Sequence, residues 1–275
     1  MDRVIETPRL RIPKLGFGTW QLRGAECQAA VESALSLGYR ALDTAEMYGN
    51  EAEVGAGLRA SGLPRDQVFV TSKVWHTNIS PDGMRRACET SLSLLGLDAL
   101  DLYLIHWPAP DMDMDASLGA LNRLKEDGLT RAIGVANFPA GMLRRALATG
   151  IPIAADQVEY HVTLSQDRLL SVARPAGVVV TAYSPLAKGG LTGDAALRGI
   201  SDRLGASPAQ VALAWLLRQD GVCAIPKSGR AQGQRENLEA LDLAGRLTDA
   251  DVAALDALPK DRRTVSPAFA PDWND

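Results

Sequence analysis

The sequence predicts an α/β fold, a (β/α)8 TIM barrel with an N-terminal β-hairpin, in one domain spanning residues 1–275. Three observations carry this. Eight short β-rich runs alternate with longer helical stretches. Several of those stretches open on a capping serine and close on glycine. No linker, low-complexity run or change of composition divides the 275 residues, a length that such barrels occupy as one domain.

In chain order, VIETPRLRIP (4–13) reads as the hairpin. The strands follow as LGFGT (15–19), RALD (40–43), QVFVTSK (67–73), LDLYLIH (100–106), TRAIGVA (130–136), AADQVEY (154–160), GVVVTAY (177–183) and GVCAIPK (221–227). Helical candidates between them include 25–38, 81–96 and 207–221. Ser80-Pro81 and Ser207-Pro208 supply N-terminal capping chemistry, and Gly38, Gly96 and Gly221 supply stops. Strands alternating with helices make a parallel sheet, and eight is the number that closes it. Trp215, in the middle of its helix, reads as core.

Composition narrows the function. Lys plus Arg number 29 and Asp plus Glu 33, a net charge of -4, so no basic face offers itself to nucleic acid or an acidic membrane. The first residues lack the apolar run of a signal sequence, and no later stretch of about 18 apolar residues suggests a membrane span. Cys27, Cys88 and Cys223 are scattered, without C-x-x-C spacing. They read as reduced thiols of a cytoplasmic protein with no metal site.

Active sites of such barrels lie at the C-terminal ends of the strands. The second strand ends in Asp43, with Tyr48 just beyond; the third in Lys73; the fourth in His106. Each has a bland account when taken alone: a turn cap, a packing phenol, a rim lysine, a structural histidine. At consecutive strand ends they converge. A buried lysine needs an anion, and Asp43 is the nearest candidate. A lysine beside a tyrosine favours the phenolate, which is expected to lower the Tyr48 pKa from about 10 and make it a general acid for a carbonyl oxygen. Trp20, Trp75 and Trp107 fall just after strands one, three and four and suggest an apolar wall for a small ligand. No G-x-G-x-x-G follows the first strand. The loop IPKSGRAQGQRENL (225–238) carries cations at the start of a helix, which suits either a phosphate or an ordinary basic turn.

The segments LGFGTW, GYRALDTAEMYGNEAEVG, VFVTSKVW, LDLYLIHWP, IGVANF, QVEYH, YSPLAKGG and IPKS…REN, in that order, resemble the aldo-keto reductase family nearly end to end. The resemblance implies reduction of small aldehydes and ketones with NADPH, NADH being possible, and no metal. It implies a catalytic tetrad of Asp43, Tyr48, Lys73 and His106, with Tyr48 as proton donor. Carried over by position, Gly18, Thr19, Trp20, Asp43, Asn137 and Gln157 contact the cofactor, and Tyr183 stacks on its nicotinamide. Ser184 and Leu186 fall at its pyrophosphate, and Lys227, Ser228, Glu236 and Asn237 at its adenosine end. Trp20, Tyr48, Trp75, His106 and Trp107 line the substrate site. The tail DRRTVSPAFAPDWND and the short loop after His106 look most like the bacterial 2,5-diketo-D-gluconic acid and methylglyoxal reductases, which implies compact carbonyl substrates and a monomer.

Two positions depart from the family pattern. Ala136 stands where a serine is usual, and Gly233 where an arginine contacts the adenosine phosphate. Arg230 is the expected substitute, while Arg235 is placed to pair with Glu236. Two other readings compete: a Schiff-base aldolase on Lys73, and a nicotinamide-binding redox sensor without turnover. An ion-paired Lys73 stays protonated and opposes the first; an intact tetrad opposes the second.

Overall fold

Short strands rich in Val, Ile, Leu and Ala on both faces bury themselves only when a parallel sheet is covered by helices outside and filled by side chains inside. The computed structural model of the chain, which describes residues 3–191 and 195–275, has this arrangement. β1 (Val4–Thr7) and β2 (Leu10–Pro13) form the expected antiparallel hairpin, with Ile5 facing Ile12. Eight parallel strands follow: β3 (Phe17–Gly18), β4 (Ala41–Asp43), β5 (Phe69–Val74), β6 (Leu100–Ile105), β7 (Thr130–Ala136), β8 (Ile153–Glu159), β9 (Val179–Tyr183) and β10 (Val222–Ala224). Each pairs with its sequence neighbour. The two ends of the sheet meet through a parallel bridge between Leu15 and Ala224, where Gly16 N donates to Ala224 O (2.9 Å) and Ala224 N to Lys14 O (2.9 Å).

The period-2 alternation of a strand sorts side chains into two cores. Leu102, Leu104, Ala132, Ala155, Val179 and Cys223 share an inner cluster with Ile5, Leu10 and Ile12, so the hairpin packs against the interior of the sheet. Tyr103, Ile105, Ile133, Val135 and Val180 join the outer cluster under the helices. The interior is narrow. A Cβ on Gly134 would lie 2.4 Å from Ala155 O, and one on Gly18 2.6 Å from Ile225 O. Gly18 therefore has a packing reason for being glycine, which the sequence reading, treating it as a cofactor contact, did not anticipate.

Helix punctuation follows the sequence with one correction. Ser80 Oγ accepts from Gly83 N, and Ser207 forms a full capping box with Gln210. Gly38 (φ 113°) and Gly96 (φ 69°) end Gly24–Leu37 and Pro81–Leu95 in the left-handed conformation that glycine adopts freely. Gly221 does not end its helix: Pro208–Arg218 stops at Gln219, and Gly221 (φ 70°) instead turns the chain into β10. Trp215 is buried and donates to Asp256 (2.8 Å). Among the described residues no helix is long and apolar enough to cross a membrane.

Candidate active site

The interior alternation continues past the strand ends, and this builds the site. Asp43 ends β4, Lys73 lies on β5, His106 follows β6 and Gln157 lies on β8. All four are buried. Lys73 Nζ donates to Asp43 Oδ1 (2.5 Å) and to Thr44 O (2.7 Å), while Gln157 Nε2 donates to Asp43 Oδ2 (2.7 Å). Tyr48 closes a short 3-10 turn, Glu46–Tyr48, and brings its Oη to 3.5 Å from Lys73 Nζ. No protein acceptor takes the Tyr48 proton among the described residues. The His106 ring lies 5.6 Å from the Tyr48 ring, edge to face, and its buried Nδ1 has no partner among the described residues.

The electrostatics correct one expectation. Lys73 was expected to draw the Tyr48 pKa down. Burial instead holds the phenol well above its ordinary 10, and the Asp43 carboxylate and Tyr183 add to the rise. The reason is geometric: the ammonium is committed at short range to Asp43 and Thr44 and meets Tyr48 only at 3.5 Å. Burial likewise pulls Lys73 below its usual value, opposed by Asp43. Both close bonds hold its ammonium form, so no free amine is presented for a Schiff base. His106 lies well below 6.5 because of burial and the nearby Lys73 and His76. Its ring is neutral at pH 7.

The three expected indoles do converge. Trp20, 40% exposed, packs at 4.9 Å on Tyr48, and Trp75 at 5.3 Å on His106. Trp107 is buried beside them. The sequence reading missed Phe269, which packs on Trp75 (5.8 Å), His76 (4.3 Å) and Trp107 (5.6 Å). Its only signal was an aromatic residue in the short apolar stretch Ala268–Ala270 of the tail. Glu46 was also missed: it accepts from Trp75 N (2.8 Å) and Asn78 Nδ2 (2.5 Å), tying the turn that carries Tyr48 to the loop that carries Trp75.

Around this centre, Thr19 Oγ1 donates to Asp43 O (2.9 Å). Asn137, left-handed at φ 63°, donates to His106 O (2.9 Å) and accepts from Tyr183 Oη (2.7 Å). Among the described residues its second N–H and the Gln157 carbonyl oxygen take no protein partner. Ser184, Ala187 and Lys188 all have positive φ (45°, 47° and 53°), and half-buried Leu186 lies among them. Three such non-glycine residues in five is a strained run of the kind found at ligand clamps.

At the far end, Lys227 and Arg230 are exposed and form no ion pair among the described residues, and Arg230 caps helix Ala231–Ala244. Ser228 Oγ does not project outward; it folds onto its own loop, donating to Arg230 O (2.9 Å) and accepting from Arg230 N (3.2 Å). Gly233 makes room for it, since a Cβ there would meet Ser228 Oγ at 2.6 Å. Glu236 accepts from Gln232 (2.9 Å) rather than pairing with Arg235. Asn237 is buried against the Tyr39 hydroxyl.

Comparison with known proteins agrees with this geometry. The family model of the aldo/keto reductase family matches residues 14–260. A methylglyoxal reductase DkgB of Escherichia coli O157:H7 is 37% identical over 270 residues, 96% of this chain and 100% of that protein. An aldo-keto reductase of Mycobacterium sp. (strain MCS) is 41% identical over 263 residues, 95% and 90% of the two chains. Among solved structures, a candidate 2,5-diketo-D-gluconic acid reductase B superposes with TM-score 0.95 at 39% identity, covering 100% of this chain and 98% of that one. The aldose reductase from Schistosoma japonicum superposes with TM-score 0.90 at 32% identity, covering 97% and 96%.

Proposed function

The chain belongs to the aldo/keto reductase family of oxidoreductases, and from that premise we propose that it reduces small aldehydes and ketones to alcohols, with NADPH as electron donor and Tyr48 as proton donor. One observation carries this reading. A buried phenol whose proton has no protein acceptor faces a neutral imidazole, and a buried Asp43–Lys73 pair stands behind it.

The groups present fit a nicotinamide dinucleotide. Spare amide capacity on Asn137 and Gln157 suits a carboxamide, with Tyr183 beside them as a stacking face. The strained 184–188 turn suits a pyrophosphate. Free Lys227 and Arg230 at a helix N-terminus suit a 2'-phosphate, which favours NADPH over NADH. Ser228, Glu236 and Asn237 shape that end; Gly18, Thr19 and Trp20 shape the near wall. When bound, the dinucleotide supplies the electron pair and hydrogen that reach the carbonyl carbon.

The chain's own groups handle the oxygen. Its raised pKa keeps Tyr48 loaded with a proton at neutral pH. Negative charge developing on the carbonyl oxygen draws that proton across, and Lys73, 3.5 Å away, stabilises the phenolate left behind. Neutral His106 has one N–H to offer the same oxygen and so orients the carbonyl. Asp43 and Gln157 hold Lys73 in place. Solvent then returns the proton to Tyr48.

The wall of Trp20, Trp75, Trp107 and Phe269 leaves room for compact carbonyls. Relatives named for methylglyoxal and 2,5-diketo-D-gluconic acid support small dicarbonyls and keto-sugars as the class. We take residues 1–275 as one closed (β/α)8 domain, supported by the Leu15–Ala224 bridge, acting as a cytoplasmic monomer. Buried, unpaired Cys27, Cys88 and Cys223 support a reducing compartment. The test is oxidation of NADPH and of NADH over a panel of small dicarbonyls, keto-sugars, aromatic aldehydes and steroid ketones. The highest kcat/KM is expected for a small dicarbonyl or keto-sugar with NADPH. A steroid ketone exceeding every small substrate, or a preference for NADH, overturns the reading.

A further inference from the structure

One buried carboxylate near the mouth has no part in the chemistry above. Glu159 ends β8, two residues after Gln157, and its side chain is fully shielded from solvent. Its Oε1 accepts from Thr264 N (2.8 Å) and Thr264 Oγ1 (2.6 Å) and lies 3.0 Å from His161 Nε2. Its Oε2 accepts from Val265 N (2.9 Å). A buried charge is tolerated only when donors meet it, and three of these donors come from the C-terminal tail. Arg263 stands at 3.9 Å from the same carboxylate and stacks at 3.7 Å on the Trp273 ring.

From this anchor the chain runs over the mouth. Residues 264–275 form neither helix nor strand. Halfway along, Phe269 packs on Trp75, His76 and Trp107. At the far end, Arg145 grips Asp275 through two bonds (2.8 and 3.1 Å), Gly141 N donates to Asp275 O (3.1 Å) and Arg168 to Asn274 O (3.0 Å). The two fastenings differ in kind. The Arg145–Asp275 pair is exposed, and such pairs contribute little. The Glu159 fastening is buried and fully bonded. A segment without secondary structure is held by its tertiary contacts alone, so the position of Phe269 depends on its anchors as well as on its own packing.

We propose that Glu159 is a positioning residue for substrate selection: its carboxylate fixes the 264–275 strap, and the strap presents Phe269 as the wall that closes the pocket beside Trp75 and Trp107. The proposal rests on reading that mouth as the substrate site.

Glu159→Gln tests it, because the new amide keeps the shape but turns an N–H toward donors. Hydrogen exchange of the full chain should quicken across the 264–273 amides while β5 and β6 stay protected. KM for methylglyoxal should rise about tenfold or more, the effect of losing one hydrogen bond to a charged group, with kcat nearly unchanged, the signature of lost ground-state and transition-state binding alike. Phe269→Ala should reproduce the KM change without quickening Thr264 and Val265. If Glu159→Gln fails to fold, Thr264→Val removes a donor from the strap side and should give the same pattern more weakly. Unchanged exchange at 264–273 in the folded variant overturns the strap, whatever the substrates prove to be. Quickened exchange with unchanged KM overturns the selection role, and a fall in kcat with KM unchanged assigns Glu159 to the chemistry instead.

Discussion

Two buried aspartates, at opposite ends of the strands, hold cations in contrasting ways. At the N-terminal end Asp101, on β6, accepts from Val70 N (2.8 Å), Arg65 (2.7 Å) and Arg131 (2.5 Å). Arg65 also donates to Val68 O (2.5 Å) and Ala99 O (3.0 Å). Both arginines reach partly into solvent, their side chains 28% and 57% exposed. At the C-terminal end Asp43 meets a lysine that solvent does not reach at all. There, among the described residues, the neighbourhood is left unfinished: the Tyr48 proton has no taker, His106 Nδ1 has no partner, and Asn137 and Gln157 keep spare capacity. The Asp101 cluster is bonded within the chain, whereas the groups around Asp43 keep capacity that suits a ligand at the end where such barrels hold their sites.

That contrast breaks most sharply at Tyr48. Tyr48→Phe keeps the ring and its packing and removes the proton, so kcat for carbonyl reduction should fall by roughly 10²- to 10⁴-fold. Cofactor affinity, read by quenching of tryptophan fluorescence, and the thermal midpoint should stay close to wild type. A variant retaining more than about a tenth of wild-type kcat means that another group delivers the proton.

Asp101→Ala should do the reverse. It leaves two arginines and the Val70 amide without their acceptor, and breaking such a partly buried cluster costs about 3 kcal/mol, the low end for buried pairs because the arginines can turn to water. Urea unfolding should show the loss, while kcat per folded molecule holds. If activity drops and the urea midpoint does not, the two ends are not separable in this way.

The smallest effect expected is in the pH profile. Tyr48 is raised, so its proton is kept until pH climbs past about 10. His106 is depressed, so it stays neutral as pH falls through about 6.5. The kcat for reduction at saturating substrate should therefore be nearly flat between about pH 6.5 and 9. The depressed histidine has a second consequence. Below about 6.5 the unfolded chain binds a proton that the native ring refuses, so stability declines there as pH falls. A basic limb near neutrality would show that Lys73 does pull the Tyr48 pKa down once the site is filled, as the sequence spacing suggests.

The convergence of Asp43, Tyr48, Lys73 and His106 was legible because each sits at or close to a strand end, and strand ends can be read from short apolar runs punctuated by glycine. The hairpin at 4–13 was legible for a similar reason, through alternation broken at Pro8. Phe269 and Glu159 were not. They lie about a hundred residues apart, and neither has a periodic neighbour that would announce its partner. The packing roles of Gly18 and Gly233 were not legible either: each accommodates a close approach, by Ile225 O and by Ser228 Oγ, that only the folded chain shows.

Strand count, the order of the elements and the residue types gathered at the C-terminal end of the strands follow from the sequence alone, because period and punctuation are local properties of the chain. The state of those residues does not. Which acceptors hold Lys73 depends on distances of 2.5, 2.7 and 3.5 Å set by β4, β5 and the turn between β4 and the next helix, and the Tyr48 pKa lies above 10 first because the phenol is buried and then because Asp43 and Tyr183 stand near it. Burial then magnifies those differences, since a charge shielded from water responds to each neighbour far more strongly than one in solvent. The same holds for the tail, which has no structure of its own and takes its course from a carboxylate on β8.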